Sequence, residues 1–524
     1  MDKAVKHPVY AIVFLLFIIL VVIPVLYTLF SAFFTGEPLS QKLASMDRDT
    51  WALLGGSILL AASVAFLSTL AGSVLGFFLY RTTLPFRGFF RLVLLIPLFL
   101  SPYILAVAWR DLFFVIFHDT ALISSYGGAI LVLTTVYTPL ALLITGNALA
   151  GIHAGMEESG LLLTSPGRMI RRITFPLIRP AVFSAFILIF VFSISEFSVS
   201  SFLGIRVFTT EIFTQFSAFY NTSLAILQSF LLILVCILLL LAEGHYISDA
   251  PFFSVSSRGS RTMIFRGRRL VRTGLPVVAG WFFLTVVAPL LILSFQAFRG
   301  GTDRFFQAFG LLRNTFLHSV VLALAGGLLI VFTGLVAAWY RRGDPRMKRG
   351  RFFDWLLLLI FAIPSTVFGI SLIKFYNHPG LGFIYAGSAI ILIGYAGKFS
   401  FISARITGNA LRQIPASLEE AALIAGVRPA SRILKIGLPL ILPALAVSFL
   451  VGFIFSLGEL GTTIMVYPPG TEIMPVKVFT IMANAPQALT SSMTLIVFLV
   501  TLLLVTAFYF LIKPLMIRYR YAGY

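Results

Sequence analysis

Twelve long apolar runs, separated by short polar segments, constrain this chain more than any other feature of its sequence. Each run has roughly 20 residues or more, which as a helix crosses a hydrocarbon core of about 30 Å. A backbone that faces lipid has no water to bond, so we predict helices that prolines and glycines kink without breaking. The sequence therefore predicts an all-α polytopic membrane protein with about 12 transmembrane helices. The runs lie near residues 9–32, 52–80, 92–117, 127–149, 177–202, 223–243, 274–297, 315–340, 354–376, 382–404, 438–460 and 489–512.

The distribution of charge agrees with a membrane protein and predicts its orientation. Only 11% of the 524 residues are charged and 59% are hydrophobic, which is too little polar surface for a soluble protein of this size. The net charge of +20 comes from Lys and Arg between the apolar runs, and 29 of these 39 residues lie in alternate segments. Positive residues are retained on the cytoplasmic side, so both termini are predicted to be cytoplasmic. The pattern favours contact with the lipid bilayer and argues against nucleic acid as a partner.

An internal repeat divides the chain. At offsets of 260 to 267 residues, TGNAL at 145–149 matches TGNAL at 407–411, and the Ile-Pro pair at 96–97 matches the pair at 363–364. An even number of runs separates equivalent points, so two tandem six-helix repeats should be related by a pseudo-twofold along the membrane normal. The predicted division is a first half at 1–244, a basic cytoplasmic linker at 245–273 and a second half at 274–524.

Each half has one longer cytoplasmic segment, at residues 150–176 and 412–439. The second contains EEAALIAGVRPASRILKIGLP, beginning at Glu419. Acidic residues favour the start of a helix, Gly426 permits a sharp turn, and Pro439 is tolerated in the first turn of the next span. The sequence therefore predicts a helical hairpin across the cytoplasmic face, stiff enough to transmit the movement of a soluble partner.

This segment resembles the EAA coupling loop of binding-protein-dependent ABC importer permeases. The loop pattern is EAA, three residues, Gly, nine residues, Ile, one residue and Leu-Pro, and the segment fits it at every fixed position. The positions that match the family's coupling motif in this half, together with the preceding acid, are Glu419, Glu420, Ala421, Ala422, Gly426 and Pro439.

The first-half loop departs from the pattern. Glu157 and Glu158 align with the two glutamates of the second loop, but Ser-Gly replaces the two alanines and Thr164 replaces the glycine. We expect the Pro-Gly pair that contains Gly167 to supply the displaced turn. The loop at 419–439 is therefore predicted to tolerate mutation less than the loop at 157–176.

The resemblance implies partners that the chain itself does not contain. In such importers the two loops dock on two copies of a cytoplasmic ATP-binding subunit, and a separate binding protein delivers substrate outside the bacterial inner membrane. The chain has no GxxxxGK[ST] phosphate loop, so we expect a transport subunit that is not an enzyme and carries no cofactor. Two halves fused in one chain are most similar to the ferric-iron permeases. Permeases for thiamine, aminoethylphosphonate or polyamine are the alternatives within the family.

Three ionisable residues within the spans are candidates for the translocation path. Glu196 and Glu459 occupy equivalent positions, in FSISEF and FSLGEL, and the pseudo-twofold would let them face each other and attract a cation. Local capping of a helix end is the alternative. Lys398 lies deeper in its span, as a path residue or as one partner of a structural pair. Each such group costs roughly 2.5 to 3.5 kcal/mol on insertion scales, so each needs a reason.

Two other classes of protein compete with the importer permease. A secondary transporter driven by an ion gradient would have the same six-plus-six repeat, but it would leave the paired EAA segments unexplained. A membrane scaffold or integral enzyme has little support, because the sequence shows no Ser/His/Asp grouping and no HExxH.

Overall fold

The computed structural model describes residues 3–34, 46–247, 262–299, 301–343 and 348–521, and within them every regular element is a helix. Ten unbroken helices in these ranges are long and apolar enough to cross a bilayer, and two bent helix pairs can each supply one further crossing. With each pair counted as one span, the predicted number of about 12 is confirmed. Spans 1 to 12 are Pro8–Ser31, Arg48–Arg81, Arg87–Phe99 with Pro102–Phe117, Tyr126–Gly151, Pro166–Ile194, Thr222–Leu239, Arg268–Arg299, Thr302–Arg341, Phe352–Ala362 with Ser365–Tyr376, Ala389–Arg412, Ile433–Gly458 and Gln487–Leu511.

Spans 3 and 9 are broken, so the expectation of kinks without breaks is wrong at these two places. Their pieces meet at 98° and 104°. Ser101 and Pro364 have extended backbone, with ψ of 136° and 141°, and each precedes the second helix of its pair. Proline disfavours helical backbone in the residue before it and cannot donate to the preceding turn, so Pro102 and Pro364 favour the breaks.

The two breaks also correct the register of the repeat. The ends of the broken pieces, Phe99 with Ala362 and Pro102 with Ser365, differ by 263 residues, and this offset pairs Leu100 with Ile363. The Ile-Pro dipeptide at 363–364 is therefore the counterpart of residues 100–101, and its predicted pairing with residues 96–97 is out of register. The match of two Ile-Pro pairs was misleading because the breaking proline stands one position later in the first half.

Short helices follow the same order in both halves. The segments between spans 4 and 5 and between spans 10 and 11 contain loop helix 1 (Ala154–Leu163) and loop helix 2 (Ala416–Ile424). Each is followed by a π-helical turn, Ile170–Thr174 or Ile433–Gly437, within the first turns of span 5 or span 11. After these spans come two further pairs of helices, Ser198–Phe202 with Phe208–Ser217 and Thr463–Val466 with Met474–Met482.

Close helix contacts inside each half depend on small residues. A Cβ at Gly72 would lie 2.4 Å from the Cβ of Ala141, and a Cβ at Gly334 would lie 2.3 Å from Ser403 Oγ. Spans 2 and 4, and equally spans 8 and 10, therefore approach at a distance that only glycine permits. The threonine of each TGNAL segment donates across this contact to the glycine carbonyl, at 3.4 Å in both halves.

The two halves interlock through their first spans. Span 1 packs on the second piece of span 9, and span 7 packs on the second piece of span 3. Polar contacts also join the halves: Tyr376 Oη of span 9 donates to the carbonyl of Leu20 at 2.9 Å, and Ser491 Oγ of span 12 donates to Asp111 Oδ2 of span 3 at 2.5 Å. Span 7 begins at Arg268, inside the segment predicted as the linker, so its helix starts earlier than expected.

Candidate translocation cavity and coupling loops

A cavity of about 140 Å³ lies where the two halves meet. Equivalent parts of both halves form its wall: the breaks of spans 3 and 9, one face of spans 4 and 10, and the ends of spans 5 and 11. The cavity therefore follows the pseudo-twofold. Irregular backbone at membrane depth is tolerated where it lines a cavity, which gives the two breaks a physical reason. Glu196, Glu459 and Lys398 all contribute to this wall, so the structure brings the three predicted path residues together.

Glu196 caps the short helix that follows span 5. Its Oε1 accepts from the amide and hydroxyl of Ser198 at 2.8 and 2.5 Å, and its Oε2 accepts from the amide of Val199 at 2.9 Å. The first amides of a helix have no partner within the helix, and a carboxylate there is stabilised by them and by the helix dipole. Glu196 therefore makes the local helix cap that was the alternative to a path residue. The same hydrogen bonds hold its carboxylate at the cavity wall.

Glu459 makes the equivalent cap in the second half. Its Oε1 accepts from the amide of Thr462 at 2.6 Å, and its Oε2 accepts from the amide and hydroxyl of Thr463 at 2.9 and 2.6 Å. A carboxylate offers about four lone-pair positions, so three donors do not exhaust it. Capping and a place on the path are therefore compatible, and the path role of both glutamates stays a prediction.

Lys398 stabilises the break in span 9 by hydrogen-bonding backbone carbonyls on both sides of residue 362. Its side chain is buried, and Nζ donates to the carbonyl oxygens of Phe361 at 3.1 Å and Ile363 at 2.5 Å. These carbonyls end the first piece of the span, where the break removes their helical partners. The residue at the equivalent position of the first half is Val136, so this cation belongs to one half only. The sequence showed Lys398 to be unusual but not its carbonyl partners, which lie on another span.

We expect Lys398→Met to lower the free energy of unfolding by about 2 kcal/mol, the scale of a hydrogen bond to a charged group. Methionine fills the space of the stem but leaves both carbonyls without a donor. Unfolding of the purified protein in detergent measures the change, and Val136→Met is the matched variant of the first half. Unchanged stability of Lys398→Met would show that the lysine does not hold the break.

The two glutamates of the first loop lie in different environments. Glu157 is fully buried and pairs with Arg81 at the end of span 2, with 3.0 Å between Oε2 and Nη1. Its Oε1 accepts from the hydroxyl of Thr174 at 2.7 Å, which ties loop helix 1 to the start of span 5. Glu158 is exposed. Glu157 therefore positions the loop, whereas Glu158 is the acid that a soluble partner can reach.

Gly426 makes the sharp turn after loop helix 2. Its φ is +67°, and its amide donates to the carbonyl of Leu423 at 3.0 Å while the amide of Val427 donates to Ala422 at 3.1 Å. This pair of bonds is the Schellman arrangement, in which glycine adopts the left-handed conformation. Pro439 stands in the first turn of the helix Leu438–Gly458.

The remaining predicted residues of loop helix 2 differ in exposure. Glu420 and Ala421 are exposed and Ala422 is buried. The side chain of Glu419 lies outside the described residues.

The expectation that Gly167 supplies the turn of the first loop is wrong. Thr164 and Ser165 form this turn with extended backbone, with ψ of 167° and 154°. Gly167 follows inside the helix Pro166–Met169, and no atom lies within 4 Å of a Cβ added there. Extended backbone is open to any residue, so this half needs no glycine at its turn. Its predicted place among the coupling residues rested on this turn, so we no longer expect a substitution at Gly167 to disturb coupling.

Sequence reasoning missed the exposed aliphatic residues at the ends of the two loop helices. Leu162 is 88% exposed and Ile424 is 89% exposed, and they are equivalent in the repeat. Each lies four residues after an exposed acid, Glu158 or Glu420, so acid and aliphatic side chain share one helix face. The four-residue spacing between acid and aliphatic residue can be read from the sequence. The exposure of Leu162 and Ile424 could be known only from the structure.

Comparisons with known proteins agree with this architecture. Residues 68–246 and 330–518 match the family described as binding-protein-dependent transport system inner membrane component. The chain is similar to the Fe(3+)-transport system permease protein FbpB 2 of Haemophilus influenzae, with 24% identity over 83% of this chain and 85% of that protein. It is also similar to the ferric transport system permease protein FbpB of Actinobacillus pleuropneumoniae, with 25% identity over 80% of this chain and 65% of that protein.

A smaller part of the chain is similar to a permease whose name specifies another cargo. The putative 2-aminoethylphosphonate transport system permease protein PhnV of Salmonella typhimurium is 27% identical over 36% of this chain and 71% of that protein. The family match covers one segment in each half and more than half of the chain in total. This multi-pass membrane protein therefore belongs to the family of binding-protein-dependent transport system inner membrane components.

Proposed function

We propose that the chain forms the whole membrane part of an ATP-driven ferric-iron importer in the bacterial inner membrane. Two copies of a cytoplasmic ATP-binding subunit dock on the two loop helices, and a binding protein delivers iron on the opposite side. The chain hydrolyses no ATP and holds no cofactor of its own. Its termini are cytoplasmic, in agreement with the alternation of basic segments.

The observation that carries the proposal is the matching face of loop helices 1 and 2. With each bent pair counted as one crossing, spans 4 and 10 are six crossings apart, so both loop helices lie on the same side of the membrane. Each presents an exposed acid and, one turn later, a nearly fully exposed aliphatic side chain. The same pairing of an acid with an exposed aliphatic side chain at equivalent positions of both halves supports a surface that a partner covers. Two such faces related by the pseudo-twofold fit two copies of one subunit.

Iron is the cargo that the relatives and the cavity favour. The names of both long relatives specify ferric iron. The cavity wall holds the carboxylates of Glu196 and Glu459, and hard cations prefer carboxylate oxygen over other protein ligands.

Vesicles that contain the permease and its ATP-binding subunit test the function. Loaded binding protein and radioactive ferric iron are supplied on the side opposite the loop helices. We expect uptake that requires both ATP and the binding protein. Uptake of 2-aminoethylphosphonate, thiamine or a polyamine in place of iron would contradict ferric iron as the cargo but keep the importer. Uptake into vesicles without the ATP-binding subunit, driven by an ion gradient, would contradict the importer and favour a secondary transporter.

Replacing Leu162 with aspartate is expected to weaken binding of the ATP-binding subunit about tenfold or more. Burial of one leucine side chain contributes roughly 1.5 to 3 kcal/mol, and a charge in its place removes that contribution. Ile424→Asp should act alike in the second half. Leu163→Asp is the matched control, because Leu163 is 90% exposed but projects from a different face of the same helix. Equal effects of Leu162→Asp and Leu163→Asp on the measured affinity would contradict the shared face.

A further inference from the structure

The buried ion pair beneath loop helix 1 has a third participant, which comes from the segment between the two halves. Arg81 Nη1 donates to Glu157 Oε2 at 3.0 Å and also to the backbone carbonyl of Met263 at 3.1 Å. Both charged side chains are fully buried. Residues 262–267, named here the linker strand, therefore lie directly against the pair that ties loop helix 1 to span 2.

A backbone contact fixes the register of the linker strand. The amide of Phe265 donates to the carbonyl of Arg81 at 2.8 Å, and Phe265 forms an isolated parallel bridge with Thr82. The ring of Phe265 is buried, with its centroid 5.9 Å from that of Phe77 on span 2. One hydrogen bond in each direction and one buried aromatic ring hold the strand in place.

Arg81 depends on few acceptors. Its Nε and Nη2 are buried and have no hydrogen-bond partner among the described residues, so Nη1 alone carries the bonds to Glu157 and Met263. A buried cation is stable only when it is paired and hydrogen-bonded. The carbonyl of Met263 is one of only two acceptors that the described structure provides for this guanidinium, so the linker strand has a large influence on the pair.

The linker strand leads directly into span 7, which also packs on the first half. Gly267 precedes the helix that begins at Arg268. Further along this helix, a Cβ at Gly274 would lie 2.4 Å from the ring of Phe78 on span 2. The start of the second half is thus seated on the first half immediately beside the strand.

We propose that the linker strand is a positioning element of the first coupling loop: its backbone completes the seat of the Arg81–Glu157 pair and so fixes loop helix 1 against spans 2 and 5. The importance of this position rests on the proposed function of the loop. The contact gives the linker a role beyond joining two halves. It also makes the first loop dependent on the start of the second half.

Hydrogen exchange of the purified protein, assembled with its ATP-binding subunit, tests the seat. Phe265→Pro removes the amide that donates to Arg81, and Arg266→Pro is the matched control because the amide of Arg266 donates to no backbone acceptor in the described residues outside helices. We expect amides of loop helix 1 to exchange roughly tenfold faster in Phe265→Pro, as the loss of about one hydrogen bond predicts. Loop helix 2 should exchange at the wild-type rate in both variants.

A second variant keeps the test decisive if Phe265→Pro does not fold. Phe265→Ala retains the amide but removes the buried ring, and a smaller increase confined to loop helix 1 is expected. Exchange of loop helix 1 at the wild-type rate in Phe265→Ala, or equally in Phe265→Pro and Arg266→Pro, would overturn the proposal. These outcomes are distinct from failure of the proposed function, which would appear as the absence of ATP-dependent uptake by the wild-type complex.

Discussion

Replacing Gly426 with valine is expected to abolish transport-coupled ATP hydrolysis while the protein still inserts into the membrane at the wild-type level. The φ of +67° at this position costs an ordinary residue roughly 1 to 2 kcal/mol, and a β-branched residue more. No atom lies within 4 Å of a Cβ added at Gly426, so the cost is conformational and does not come from a clash. Valine would open the Schellman turn and change the angle between loop helix 2 and span 11.

The first half provides the matched control for this substitution. Gly167 has equally open surroundings, but it lies within a helix and has no positive φ. Gly167→Val should therefore leave coupled hydrolysis close to the wild-type rate. Hydrolysis by the reconstituted complex with loaded binding protein measures both variants. Equal activities of the two valine variants would show that the conformation of Gly426 does not matter for coupling.

Charge reversal at Glu420 should have the same functional effect by another route. Glu420 is exposed, so Glu420→Arg is expected to leave folding intact and abolish coupled hydrolysis. Undiminished transport by this variant would contradict the assignment of loop helix 2 as a coupling element.

The second large effect is expected for Glu157→Ala, which should lower the free energy of unfolding by about 3 to 5 kcal/mol. The substitution leaves the guanidinium of Arg81 buried with one charged partner removed, and it also removes the acceptor of the Thr174 hydroxyl. The loss falls on the junction of loop helix 1 with spans 2 and 5. Thermal or denaturant unfolding of the purified protein measures it.

Glu158→Ala is the matched control, since Glu158 is the adjacent residue and is exposed. Its stability should remain within about 0.5 kcal/mol of the wild type, as is usual for surface substitutions. If Glu157→Ala and Glu158→Ala unfold at the same temperature, the buried pair contributes nothing measurable to the seat of the loop.

These two effects refine the predicted asymmetry between the loops. The expectation that the loop at 419–439 tolerates mutation less than the loop at 157–176 treats each loop as a whole. The structure indicates that tolerance depends on position. The second loop is expected to be sensitive to substitution at its turn, where Gly426 has a positive φ. The first loop is expected to be sensitive to substitution at Glu157, whose buried ion pair holds the loop against span 2. The comparison of the two whole loops stays a prediction.

The sequence alone determined the number of spans and the all-helical fold, because the thickness of the bilayer and the absence of water in it leave few alternatives. It indicated the family through the resemblance of residues 420–439 to a known coupling motif. The sharp turn at Gly426 could also be predicted from the sequence, because a left-handed turn after a short helix favours glycine. Both depend on residues that are close together in the chain.

Only the tertiary structure decided which groups meet. Arg81 and Glu157 are 76 residues apart in sequence, and Lys398 bonds carbonyls on another span 35 and 37 residues away. The breaks in spans 3 and 9 likewise depend on a cavity that accepts irregular backbone, which no local pattern reveals. A buried charge is stable only where distant partners converge, and that convergence is a property of the packed helices rather than of any segment.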